Sequence, residues 1–277
     1  MLAWFGLLVV GWAAVYRPAL GDGIQAATGA TDASWGTALY YSGYTLTTLG
    51  LGDVVAVTPF YRVLTVAEAA MGFATITLAI SYFLSVYSTL TCRNSFALSL
   101  HQRSAGTGRG VEVVRALWQE GPAGASVLLA EMATEMRRLL ETHTSYPVLP
   151  TFHLGRGYDA LPGILRTTWE TATVLRTAVA VPEDRPELAG TSVREIASSA
   201  EEMCARLLRR REPPAASAKQ REQWALDYSE LLDDLRAGGL PVRQEAESEY
   251  VRVRSAWDPA LADLAAQLLC DEDAEEE

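Results

Sequence analysis

The run Thr47-Thr48-Leu49-Gly50-Leu51-Gly52-Asp53 lies between two apolar segments, Met1–Tyr16 and Val63–Tyr87, and constrains how both can be used. Glycine adopts positive φ without steric cost, so glycine at every second position lets successive carbonyls turn the same way. Up to residue 91 the charged side chains are Arg17, Asp22, Asp32, Asp53, Arg62 and Glu68; the rest of the chain's 23 basic and 34 acidic residues follow. That asymmetry separates a membrane part from a solvated part. The solvated part is acidic, and the net charge of −11 gives no support for nucleic-acid binding.

The membrane part reads as an all-α arrangement. Met1–Tyr16 covers about 24 Å at about 1.5 Å per residue, less than the roughly 30 Å hydrocarbon core. It lacks the basic n-region of a signal peptide, and it is either a complete short helix or an outer helix shortened at its start. The second of these is preferred. Residues 17–34 form a Gly/Ala/Asp/Thr-rich loop, in which Asp32 or Ser34 caps a short helix over 35–47. That helix enters the membrane without crossing it, which is tolerated only where the following backbone is buried in protein or lines a water-filled cavity. Val63–Tyr87 is long enough to span with some tilt. Its one charge, Glu68, is either a functional carboxylate behind the glycine loop or near its outer mouth, or a structural bond to the short helix. Gly72 is either a hinge or a close-packing position. Thr75, Thr77 and Ser81 either face an inner cavity or bond back to their own helix. Arg93, Arg103 and Arg109 follow the span and place the C-terminal side in the cytoplasm of a multi-pass membrane protein.

The glycine run resembles the selectivity filter of potassium channels, whose usual form is TVGYGD. The segment Ala38-Leu39-Tyr40-Tyr41-Ser42-Gly43-Tyr44-Thr45-Leu46 is similar to that family's pore helix, aromatic pair included. Asp53, Thr58, Arg62 and Gly72 fall where members keep an aspartate, a threonine, an arginine and a hinge glycine. The resemblance covers Trp35 to Tyr87, with weaker support from Leu2 to Pro18. Leu51 replaces the family's filter tyrosine, whose hydroxyl bonds behind the filter, and Leu49 replaces valine. Tyr44 stands where some members carry a buried carboxylate, and Ala56 where many have proline. The resemblance implies a two-transmembrane, single-pore-loop chain working as a homotetramer in the lipid bilayer of the cell membrane. Backbone carbonyls of Thr48, Leu49, Gly50, Leu51 and Gly52 would replace the water shell of a permeating K+. Tyr40, Tyr41, Tyr44, Glu68 and Asp53 would support the filter and its outer mouth, and Gly72 would serve as the gating hinge. No catalytic constellation is present, and no cofactor is expected besides permeant K+. Two alternatives stay open: a non-selective monovalent cation channel, because of Leu51, and a membrane-anchored helical sensor or adaptor with a vestigial pore.

Beyond the pore domain (1–91) and a linker (92–110), residues 111–270 read as a cytoplasmic helical bundle. Ser104–Gly110 lacks the GxGxxG spacing and follows no strand, so it is linker and not a phosphate loop. Five apolar stripes mark helices: Val127/Leu128/Met132/Met136/Leu139/Leu140, Ile164/Leu165/Trp169/Val174/Leu175, Val193/Ile196/Met203/Leu207/Leu208, Trp224/Ala225/Tyr228/Leu231/Leu232/Leu235 and Tyr250/Val253/Trp257/Leu261/Leu264/Leu268/Leu269. Their default role is core. The sharper reading is a pocket for an unknown ligand near His143, His153, Tyr146, Phe152 and Tyr158, where the two histidines lack an obvious third metal ligand. Cys92, Cys204 and Cys270 form no CxxC and read as free thiols. The tail 271–277 is acidic and reads as disordered.

Overall fold

The computed structural model describes residues 2–145, 160–208 and 214–275. The chain divides into two compact units, Met1–Tyr87 and Ser88–Glu277.

In the first unit, α1 (Leu2–Tyr16) packs against α2 (Trp35–Leu46), and strand β1 (Ile24–Ala26) pairs antiparallel with β2 (Val54–Ala56). Helix α3 starts at Pro59, where proline's fixed φ suits a first helical turn, and continues to Arg103. Among the described residues, α3 is the one helix long and apolar enough to cross a membrane. Phe60, Val63, Val66, Phe73, Leu78, Phe83 and Leu84 stand exposed around it, as do Trp4, Leu7 and Val10 on α1. A helix apolar on every side belongs in lipid or against other helices. Of the two expected caps of α2, the residue in place is Ser34, whose Oγ accepts the Thr37 amide at 3.3 Å. Asp32 braces that cap, accepting the hydroxyls of Ser34 (2.6 Å) and Thr37 (2.9 Å). These bonds, Ser34 first, hold the Asp32 carboxyl below its ordinary range.

Among its described residues the second unit is built from helices, with one antiparallel bridge, Val179–Val242, between loops. It comprises the end of α3, then α4 (Gly110–Gln119), α5 (Gly121–Ser145), α6 (Leu161–Thr177), α7 (Thr191–Leu207), α8 (Ala218–Ala237) and α9 (Glu247–Glu275). Each of the five apolar stripes falls on one of the helices α5 to α9. Helix α6 packs on α4, α7 and α9, α5 packs on α7, and α8 on α9. Trp169 of α6 stacks on Trp257 of α9 at 5.4 Å, and the Trp257 indole donates to Thr173 Oγ1 at 3.1 Å.

Four expectations need correction. The stretch assigned to linker from residue 92 is helical to Arg103, because Phe96, Ala97 and Leu100 continue a buried stripe. The chain leaves the helix at Ala105 and Gly106, both at positive φ, where the Gly106 amide closes on the His101 carbonyl at 2.8 Å. Helix α4 was not anticipated, although Val111, Val113, Val114 and Leu117 form its buried face. Val127 is exposed, and Leu129 occupies the core of α5 in its place. Helix α9 keeps helical backbone through Glu275, into the segment read as disordered, where alanine and glutamate are good helix formers.

Arg185 ties the core of this unit together. Its guanidinium stacks over Trp118 at 4.6 Å, donates to Glu187 at 2.7 Å, and donates to the carbonyls of Leu117 (3.2 Å) and Trp118 (3.3 Å) at the end of α4. Arg185→Ala strands the partly buried Glu187 carboxylate and those carbonyls. It should destabilise the unit by about 3 kcal/mol, read as a lower melting temperature by circular dichroism of the full chain, with Arg185→Lys recovering part of the loss.

Candidate functional site

The loop after α2 has the backbone that the glycine spacing calls for. Positive φ occurs at Thr48 (59°), Gly50 (57°) and Gly52 (79°), every second residue. Left-handed φ is uncommon for a β-branched residue, so Thr48 is held there by its surroundings. Those surroundings are the last turn of α2. Thr48 N–H donates to Thr45 O at 2.9 Å, and the Tyr44 carbonyl accepts both Leu49 N–H (2.9 Å) and Gly50 N–H (3.4 Å). Thr47 caps the helix and returns its hydroxyl to the Gly43 carbonyl at 2.8 Å. The loop itself is exposed, with Leu49 at 69% and Leu51 at 58%.

The aromatic residues expected around the loop come together. Tyr41 sits edge-on to Tyr16 (4.9 Å) and Tyr44 (5.3 Å), and Tyr44 edge-on to Tyr40 (5.2 Å). Each hydroxyl has a task. Tyr40 donates to Asp53 Oδ2 at 2.8 Å, Tyr41 pairs with Thr65 Oγ1 at 2.6 Å, and Tyr44 donates to the Val54 carbonyl. The other carboxylate oxygen of Asp53 accepts the Val54 amide at 3.1 Å. The residue placed where some channels carry a buried carboxylate thus reaches the segment beyond the loop.

Glu68 lies away from the exposed mouth. It is fully buried, beside the Tyr16 hydroxyl, and Ser42 Oγ on α2 lies 2.6 Å from its Oε1 and 3.0 Å from the Val9 carbonyl of α1. This is the structural bond to the short helix, one of the two readings of its place in the sequence. At Gly72 the backbone of another helix comes close: an added Cβ would stand 1.8 Å from the Leu46 carbonyl oxygen. Close backbone approach is therefore reason enough for glycine there. Thr75 bonds back to the Met71 carbonyl at 2.8 Å.

In the second unit, His143 is buried with Nδ1 2.9 Å from the Leu139 carbonyl. Burial disfavours its charged form and lowers its pKa. His153, Tyr146, Phe152 and Tyr158, the partners expected for a pocket or metal site, lie outside the described residues. Among those described, no group of histidine, cysteine and carboxylate side chains has metal-binding geometry. Burial pushes the Cys204 thiol up to about 11, which keeps it unreactive.

What sequence reading missed is the β1–β2 ladder on the far side of the loop. Its signal was present but short: Ile24-Gln25-Ala26 and Val54-Val55-Ala56 alternate too briefly to register as strands.

Comparison with known proteins agrees with this geometry. Residues 3–89 match a family model described as "Ion channel", a range that takes in the weakly supported first helix as well as the loop. The chain is 30% identical over 154 residues to YdjJ of Bacillus subtilis (strain 168), described as an uncharacterized membrane protein. That alignment covers 55% of this chain and 44% of the relative, so the match spans less than half of the relative's length. It is longer than the family-matched segment and so takes in residues outside it. No solved structure matches. The protein is an α-helical membrane protein whose residues 3–89 are similar to ion channels.

Gly72→Ala separates the two uses of that glycine. A hinge freed of packing would tolerate alanine, which favours helix by about 1 kcal/mol. The contact with Leu46 predicts the opposite, a loss of about 1–3 kcal/mol from overpacking, measured as reduced thermal stability of the purified protein in detergent.

Proposed function

We propose that the protein is a potassium-selective channel, a homotetramer whose four glycine loops line one pore in the cell membrane. The observation that carries this reading is the alternation of left-handed φ at Thr48, Gly50 and Gly52. Alternating left- and right-handed residues aim consecutive carbonyls to one side, and rings of such carbonyls replace the hydration shell of a cation. The carbonyls of Thr48 to Gly52 are the ligands, with the Thr48 hydroxyl innermost and the Asp53 carboxylate drawing cations to the outer mouth. One loop supplies one quarter of a ring, so four chains are needed. The exposed apolar faces of α1 and α3 supply surface for lipid and for neighbouring subunits. The arginines after the second span, Arg93, Arg103 and Arg109, support a cytoplasmic position for the helical unit. The helical unit acts on gating, and any bending at Gly72 has to move its contact with Leu46 as well.

Leu51 favours a second reading, a cation channel with weak discrimination between K+ and Na+. Its side chain has no hydroxyl to anchor the loop wall. Reversal potentials of the purified protein in liposomes under K+/Na+ gradients decide between the two. A barium-sensitive current that reverses near the potassium equilibrium potential supports selectivity, and reversal near zero supports the weaker filter.

Gly50→Ala tests the loop itself. An L-residue at its φ of 57° costs about 1–2 kcal/mol per chain, which disfavours the turn that aims its carbonyl. Current should vanish while tetramers persist on size exclusion. Normal current in this variant would remove the loop from the ion path. Truncation after Arg109 should leave a conducting pore with altered open probability in single-channel recordings.

A further inference from the structure

We infer that strand β1, in the loop between the first two helices, is a positioning element for the filter: it braces the outer end of the ion path from the far side and supplies the stiffness that a tyrosine at position 51 would otherwise give. This rests on the channel reading above.

The ladder closes directly on the loop. Ala27 N–H donates to the carbonyl of Asp53 at 2.7 Å, and Val57 N–H donates to the carbonyl of Gly23 at 2.9 Å. The register pairs Ile24 with Ala56, Gln25 with Val55 and Ala26 with Val54. Antiparallel alternation makes Gln25 and Val55 the pair that exchanges both bonds between those two ends. The residue immediately after Gly52 is therefore fixed through its own carbonyl, and the next residue's carbonyl is fixed by the Tyr44 hydroxyl.

A brace needs an anchor, and β1 has three. Ile24 is fully buried in the same cluster as Tyr16, Tyr41 and Tyr44. Gly23 lies so close to the Tyr61 ring that a Cβ would stand 2.4 Å from it. Ala26 turns its amide outward to Thr31 Oγ1 at 2.9 Å, so the strand is held from both edges. An isolated two-stranded ladder is marginal in water, and these contacts are what make it firm. On the near side, by contrast, Leu51 is 58% exposed in the protomer and carries no hydrogen-bonding group.

The test uses the full chain in liposomes with two readouts, the K+/Na+ reversal potential and the shift in tetramer melting temperature when K+ replaces Na+. Ala27→Pro removes the one N–H that holds the Asp53 carbonyl, and Ala27→Ser keeps it. Loss of one such bond is expected to lower the K+/Na+ permeability ratio about fivefold and to shrink the K+-dependent shift, with Ala27→Ser unchanged. Adding Leu51→Tyr to Ala27→Pro should recover the ratio. If Ala27→Pro yields no tetramer, Thr31→Val decides, with a smaller change in the same direction expected. Unchanged selectivity and melting shift in Ala27→Pro, or in Thr31→Val where that variant decides, overturn the brace and leave the channel intact. An equal loss in Ala27→Ser also overturns it. If the unaltered protein shows neither K+ current nor a K+-dependent shift, the channel reading fails and the brace fails with it.

Discussion

Backbone that leaves a helix within a membrane must find its partners in the protein or in a water-filled cavity, because lipid supplies none. In this chain that demand converges on Tyr44. Its carbonyl takes the amides of Leu49 and Gly50, and its hydroxyl reaches the carbonyl of Val54. One residue at the end of α2 thereby holds the loop at its entry and just past its exit. The left-handed conformation of Thr48, unfavourable for a β-branched side chain, is sustained by the same turn through Thr45. Remove the end of α2 and the loop loses its hold at the entry, leaving the β1–β2 ladder to hold its far side alone.

The loop and its helix were legible in the sequence because they depend on local chemistry. Glycine spacing fixes where φ can turn positive, and Ser34 fixes where α2 begins. Glu68 and Gly72 were ambiguous for a different reason. A lone carboxylate and a lone glycine in an apolar helix each have two good explanations, and only the positions of Ser42 and Leu46 on another helix separate them. The β1–β2 ladder was illegible because three-residue strands have almost no periodicity of their own. Their pairing depends on Ile24 entering an aromatic cluster built from three distant segments. Helix α4 escaped notice behind a glycine-rich approach that reads as linker, although its buried valines have helical spacing.

The helical unit follows the apolar stripes closely where they are long. It departs from them where a stripe has neighbours of the same character. In α5 the run Val127-Leu128-Leu129 offers three apolar residues in a row, and the packing of neighbouring segments on α5, α7 among them, takes Leu129 inward and leaves Val127 exposed. Arg185 illustrates the other kind of surprise. A buried arginine between prolines carries no sequence signal, yet it caps the end of α4 and pairs with Glu187. Such a residue is recognisable only once its carbonyl partners are in place.

Helix α6 is rich in buried threonine, and most of those hydroxyls are already spent. Thr168, Thr171 and Thr177 bond to carbonyls one turn back in their own helix. Two threonines engage other segments: Thr167 bonds to the Gly108 carbonyl, and Thr173 accepts the indole of Trp257. Glu170 accepts the Gly110 amide at 3.1 Å, and the Arg176 carbonyl accepts from Arg243 at 3.0 Å. Mechanically, α6 is a rod riveted along its length, so displacement of the segment at Gly108 and Gly110, of Trp257 or of Arg243 is felt by the whole helix at once.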